Sequence, residues 1–240
     1  MKDSASRQVT KLSVKQIVKG LLRNQGYEIA RIRARTPCPS IPSRAAGRER
    51  DSSEYDLIWS DKQFIRTTYL NDKRKELYRS LLEFADEIQL FNGVVSIADV
   101  GCGPGYLLGM VSERYRRRRL VGLDFSSAVL DAARDICKGA EFRLQDIYDP
   151  LEEKFDLLFC TEVIEHLLYP ARAIENLLSA ANKIVITIPD GRKDTSGAHI
   201  NFWSIESWKV FLEAYENGWK CLSLYLCEGR YIVTVMDRKI

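Results

Sequence analysis

The chain has 240 residues, of which 45% are hydrophobic and 29% charged, with a formal net charge of +3. That length suits one α/β domain with appendages, and the composition can bury a core, which excludes wholesale disorder. No run reaches the roughly 18 apolar residues of a membrane span and no signal-peptide pattern opens the chain, so a soluble, cytoplasmic protein is expected.

The charge is unevenly placed. Residues 1–50 carry 12 Lys and Arg against 3 Asp and Glu, and the remainder carries 24 against 30. Over residues 9–25, Val14, Ile17, Val18, Leu21 and Leu22 recur at helical spacing beside Lys11, Lys15, Lys19 and Arg23. This predicts an amphipathic basic helix, either docked on the domain or touching a membrane face or an anionic partner. Gly26 ends it, and residues 27–32 alternate like a short strand. From Thr36 to Ser53 the Pro, Gly, Ser and Arg content predicts a linker or lid, and residues 60–90 recover a pattern of one or two helices. The expected division is a basic extension and linker over 1–55 and a domain over 56–240, with a helical cap at 56–92 and a core at 93–240.

From Val94 onward, strand and helix patterns alternate, as in a parallel sheet covered by helices. Strands are expected near 94–100, 119–124, 140–144, 155–161, 183–189, 219–227 and 230–236. Helices are expected near 105–115, 126–137, 167–181 and 204–216. The six cysteines (38, 102, 137, 160, 221 and 227) show no C-x-x-C pair and read as reduced, mostly buried thiols. Arg114 and Arg116 to Arg119 form a cluster that reads as a solvated helix end, whose positive charges oppose the negative pole of the helix dipole.

The informative stretch is Asp99-Val100-Gly101-Cys102-Gly103-Pro104-Gly105-Tyr106, where an apolar strand enters a helix through three alternate glycines. Such a turn lets bare backbone approach a ligand. The dinucleotide pattern G-x-G-x-x-G requires glycine at 106, where Tyr stands, which disfavours an NAD-dependent oxidoreductase. Two acids follow at successive strand ends. Asp124, before Phe125, can accept hydrogen bonds from both hydroxyls of a ribose, and Asp146, before Ile147, closes the third strand on the same edge. A local reading also exists for Asp124, as the cap of the next helix.

The D-x-G-x-G-x-G turn resembles motif I of the class I S-adenosylmethionine (SAM)-dependent methyltransferases. Phe155-Asp156 through Cys160, then Thr161-Glu162-Val163-Ile164-Glu165-His166-Leu167 and Pro170, is similar to the fourth-strand stretch of that family's quinone, glycan, small-molecule and RNA enzymes. Ile186 to Asp190 and His199 to Trp203 extend the resemblance over roughly residues 90–236. It implies an α/β fold with a seven-stranded, mostly parallel Rossmann-like sheet and helices on both faces, to which the residue pattern adds a helical N-terminal extension. It also implies SAM as cofactor, with Asp99, Gly101, Cys102, Gly103, Gly105, Asp124, Phe125, Asp146, Ile147 and Cys160 around it.

If residues 162–166 are helical, Glu162, Glu165 and His166 share one face. His166, Glu162 and His199 are then candidates for taking a proton from the acceptor. Glu162, Glu165, His166 and His199 also resemble the magnesium set of small-RNA 2′-O-methyltransferases, so Mg2+ is a second expected ligand. The local alternative is that the two Glu cap a helix while His166 only walls the pocket. The favoured expectation is O-methylation of a small-molecule or glycan/lipid-linked acceptor. RNA 2′-O-methylation is the first alternative, disfavoured by the acidic catalytic half. A non-catalytic SAM-fold binding subunit is the alternative of another class, disfavoured by the intact acid pair.

Overall fold

A computed structural model describes residues 49–61, 63–69 and 71–239, all within the unit Ala45–Ile240. The expected basic helix over 9–25, the strand at 27–32, the partner surface expected of that helix and Cys38 lie outside the described residues.

The seven expected strands are present: β1 Ser96–Val100, β2 Arg119–Asp124, β3 Glu141–Leu144, β4 Phe155–Thr161, β5 Ala181–Pro189, β6 Trp219–Cys227 and β7 Tyr231–Arg238. They form one sheet in the order β3-β2-β1-β4-β5-β7-β6. The first five run parallel, and β7 inserts antiparallel between β5 and β6. The β6–β7 hairpin turns at Glu228 and Gly229, both with positive φ, as a tight hairpin turn of right-handed strands requires.

Both faces of the sheet are buried, so the central strands read as continuous apolar runs. Alternation along each strand divides them: Ile97, Leu157 and Phe159 belong to one core cluster, and Ala98, Val100, Leu158 and Cys160 to the other. Helices α1 Ser52–Trp59, α2 Asp72–Glu87, α3 Tyr106–Arg114, α4 Ser127–Ile136, α5 Pro170–Ser179 and α6 Ile205–Glu213 complete the domain. The first cluster takes Leu77, Leu81 and Leu82 of α2, Leu107 and Leu108 of α3, and Val129 and Leu130 of α4. The second takes Ile174 and Leu177 of α5 and Trp208 of α6. The Trp208 indole N–H donates to Thr234 Oγ1 at 2.8 Å, so this buried pair is satisfied.

Three expectations are corrected. The supposed linker ends in a helix: Asp51 and Glu54 form a capping box that starts α1 at Ser52, and α1 runs across the expected boundary at 55/56. Residues 162–166 are not one helix. Glu162 has φ +58, and only Ile164–His166 make a short 3-10 turn, so the expected common face does not exist. The arginine cluster does not sit wholly at a helix end: Arg114 closes α3 and pairs with Asp86, while Arg119 opens β2 and pairs with Glu141 and Glu153.

Candidate active site

In the order found here, β1 and β4 are neighbours whose connections leave in opposite directions, and a crevice opens at their carboxyl ends. A cavity of about 480 Å³ occupies it, within the range of cofactor sites. Gly101 (φ +74) and Gly103 (φ +51) form its inner wall. A Cβ on Gly101 would lie 2.4 Å from Val163 Cγ2, and one on Gly103 would lie 2.8 Å from the Tyr69 hydroxyl, so neither position admits a side chain.

Asp124 lies at the end of β2 on the same cavity. Its Oδ2 accepts from Gly103 N–H and its Oδ1 from Ser126 N–H, each at 3.0 Å, while Ser126 itself caps α4. Burial raises the Asp124 carboxyl to about 6, opposed by backbone donors from Ser126, Gly103 and Phe125. Asp99 is buried behind the glycine turn, and burial, then Asp124, raises it to about 8. Among the described residues its Oδ1 has no hydrogen-bond partner. Phe125, Asp146 and Ile147 line the far end, where Asp146 Oδ1 accepts from Tyr148 N–H at 2.8 Å.

Besides Asp99, three expected cofactor contacts stand off the cavity wall. Strand alternation and the turn put Cys160 and Cys102 into the two cores, and Thr161 with Glu162 follow on the wall instead. Gly105 serves packing: a Cβ there would meet Phe142 and Ala133 at 3.1 and 3.2 Å.

Residues 49–59, which run from the expected linker or lid into the expected helical cap, roof the cavity. Glu49 Oε2 accepts from the Tyr148 hydroxyl and from Leu168 N–H, each at 2.7 Å. Asp56 Oδ1 accepts from Ser126 Oγ at 2.5 Å and from Ala128 N–H at 3.2 Å, at the N-terminus of α4 where a carboxylate is favoured. Tyr55 meets Phe125 edge-on at 5.1 Å. Arg74 of α2 is the other unforeseen group. Its guanidinium lies 4.3 Å from the Tyr69 ring centre and donates to the Tyr69 hydroxyl at 3.3 Å.

Arg74, Glu162 and His166 also line a second, more open cavity of about 750 Å³. Glu165 and His199 line it with them. Loop 198–201 is pinned there because Ile200 and Asn201 N–H donate to the Glu165 carbonyl at 2.9 and 3.0 Å. Both imidazoles are fixed through Nδ1, which donates to the Ala198 carbonyl at 3.1 Å in His166 and to Asp194 Oδ2 at 2.5 Å in His199. Each Nε2 then lies 3.9 Å from Glu165 Oε1. Among the described residues neither Glu165 carboxylate oxygen has a hydrogen-bond partner. Burial and then Glu162 raise the Glu165 carboxyl well above the carboxylate range, and burial also raises Glu162. Burial and then His199 lower His166 to about 4, which keeps it neutral at neutral pH. Glu162 accepts from Thr187 Oγ1 at 3.0 Å and stands apart from the Glu165–His166–His199 group, whose ligand atoms lie within 4.8 Å of one another.

Residues 98–182 match the family model described as a methyltransferase domain. Those residues form a methyltransferase domain, and the fold around them is that of the class I SAM-dependent methyltransferases. The chain is similar to the trans-aconitate 2-methyltransferase of Rhizobium rhizogenes, 28% identical over 144 residues that cover 58% of this chain and 54% of the relative. It spans about half the length of the curated relatives it matches. Its fold is shared by magnesium protoporphyrin IX methyltransferase from Synechocystis with bound SAH, at a TM-score of 0.59 and 15% identity over 79% of this chain and 100% of that one. The [4+2]-cyclase SpnF shares it too, at a TM-score of 0.65 and 15% identity over 82% of this chain and 100% of that one. One fold therefore carries more than one reaction, and the acceptor side must be argued from the methyltransferase's own residues.

SAM is the family's cofactor, and the first cavity fits it. The Gly101–Gly103 cradle excludes any Cβ, Asp124 presents its carboxylate to the cavity, and the unpartnered Asp99 Oδ1 lies behind the turn. Among the described residues no helix is long and apolar enough to cross a membrane.

Proposed function

We propose that this methyltransferase transfers a methyl group to an oxygen of a small-molecule or glycan/lipid-linked acceptor in the cytoplasm. The observation that carries this reading is the junction of the two cavities at Arg74, Glu162 and His166. A cofactor in the first and an acceptor in the second would meet beside groups able to take a proton.

SAM supplies a sulfonium methyl: the acceptor oxygen bonds to that carbon as the S–C bond breaks and its electron pair returns to sulfur. The protein's task is then alignment and proton removal. Gly101, Gly103, Asp124, Phe125, Asp146 and Ile147 would hold the adenosyl part, and Arg74 the methionyl carboxylate. The His199 Nε2 lone pair, left free because Nδ1 keeps its proton and donates it in a hydrogen bond to Asp194, would accept the acceptor's proton, with Glu162 and His166 shaping the floor. The trans-aconitate relatives support a small acceptor.

A second reading has its own observation. Glu165, His166 and His199 converge, and both imidazoles are oriented by acceptors at Nδ1, as ligating histidines are. A divalent cation such as Mg2+ there would lower the pKa of an acceptor hydroxyl, the chemistry that RNA 2′-O-methylation at this site would use. Calorimetric titration with SAM, S-adenosylhomocysteine (SAH) and NAD, wild type beside Asp124→Ala, tests the cofactor. NAD binding without a response to SAH would sink the proposal. Methyl transfer assayed with and without chelator separates the two readings, since the metal reading requires loss of turnover.

A further inference from the structure

The second cavity has an acidic floor and a basic rim. Glu162 and Glu165 form the floor beside the two histidines. The other acids lining the cavity already have partners. Asp190 accepts from Arg192 Nε at 2.9 Å and Nη2 at 3.0 Å, Asp194 from His199 and from Ser196 N–H at 2.9 Å, and Glu228 from Ser80 Oγ at 2.8 Å.

Besides Arg74, three cations line the same cavity from three elements: Lys73 from the start of α2, Lys193 from the loop after β5, and Arg230 from the β6–β7 turn. All three are exposed, and among the described residues none makes an ion pair with a carboxylate. Lys193 Nζ donates to the Gly229 carbonyl at 2.6 Å, which ties its loop to the hairpin turn beside Arg230 and leaves two ammonium donors open. Solvated surface cations ordinarily scatter. Here they converge on the rim of a concave site whose acids are all engaged or on the floor.

We propose that the methyl acceptor carries an oxyanion group, a carboxylate or a phosphate, seated on Lys193 and Arg230 with Lys73 beside them, while its reacting oxygen reaches the floor near Glu162 and His199. The inference rests on the reading of the second cavity as the acceptor site. Guanidinium presents a planar fork to such a group and ammonium a compact charge, so the pair takes carboxylate and phosphate alike. The rim would also steer anionic acceptors into the cavity and repel cationic ones.

The test uses the full chain saturated with SAH and titrated calorimetrically with citrate, inorganic phosphate and, as neutral control, glycerol. At least one anion should bind with an affinity that falls as salt rises, glycerol should not, and the tighter anion names the oxyanion. The Lys193→Glu/Arg230→Glu double variant should weaken the anion at least about tenfold, with SAH affinity within about twofold of wild type as the check on folding. Binding of neither anion at millimolar concentration, or equal binding by the double variant, overturns the proposal. A second arm assays methyl transfer to paired acidic and neutral hydroxy compounds. Equal kcat/KM for both members, unchanged in the double variant, overturns the oxyanion proposal but leaves the transfer reaction standing. Anion binding on the rim with no transfer to any member refutes the transfer reading instead.

Discussion

Gly101→Ala tests the cofactor cradle most directly. Two penalties follow from the geometry. At φ +74 an L-residue with a Cβ costs about 1–2 kcal/mol. The new carbon would stand 2.4 Å from Val163 Cγ2, about 1 Å inside ordinary contact, an overpacking worth about 1–3 kcal/mol. The sum, about 2–5 kcal/mol, corresponds to a fall in Tm on the order of 5–15 °C for a domain of this size. SAH affinity should fall with it, because the strand-end turn and Val163 both line the cofactor cavity. Thermal melts and SAH titration of Gly101→Ala, Val163→Ala and the double variant form a cycle. Val163→Ala should return the steric part and leave the backbone part, giving a favourable coupling of about 1–3 kcal/mol. Strict additivity would refute the collision, and unchanged SAH affinity in Gly101→Ala would refute the placement of the cofactor against this turn.

The remaining predictions concern charge. Asp124, raised to about 6 in the fold, should lend the cofactor-free protein stability below its unfolded value near 3.8 that is lost as pH rises through 6, on the order of 3 kcal/mol at most. SAH, which needs the ionised carboxylate, should bind more weakly as pH falls below 6. Asp124→Asn should flatten both profiles in melts and titrations, and retained profiles would count against the assignment. His166 acts oppositely: lowered to about 4, it is neutral in the fold and protonated when unfolded between pH 4 and 6.5, so it removes stability as pH falls through that window. His166→Gln should lessen the acid sensitivity seen in melts. Arg74→Met, which keeps the aliphatic stem, should raise the SAH Kd about tenfold or more; a change under twofold would remove Arg74 from the cofactor site. Asp194→Asn should lower kcat by about 10²- to 10⁴-fold with little change in SAH affinity, if His199 is the base it orients.

The sheet was legible because its strands are buried on both faces and carry apolar runs bounded by Gly, Pro and Asp, and strands near 119–124, 155–161 and 219–227 begin and end where the pattern places them. The glycine turn and the acids at the ends of β2 and β3 were legible for the same reason: strand ends are marked in the chain. What the pattern could not show is which face a strand-end side chain takes after an irregular turn. Cys102 falls into a core, and Glu162, at positive φ, leaves the helical phase that would have aligned it with Glu165. Arg74, Asp194 and the Glu49–Trp59 roof reach the site from elements distant in sequence, and only their tertiary docking reveals them. The capping box at Asp51 and Glu54 was the one local signal for α1.

The roof over the first cavity has a kinetic consequence. Glu49 and Asp56 latch it through hydrogen bonds to Tyr148, Leu168, Ser126 and Ala128. With SAM in the cavity, the element that would keep water from its sulfonium would also hold the spent cofactor in place. Shielding and release cannot be improved together: a tighter latch would slow turnover after the chemistry is finished, and a looser one would admit solvent before it has begun.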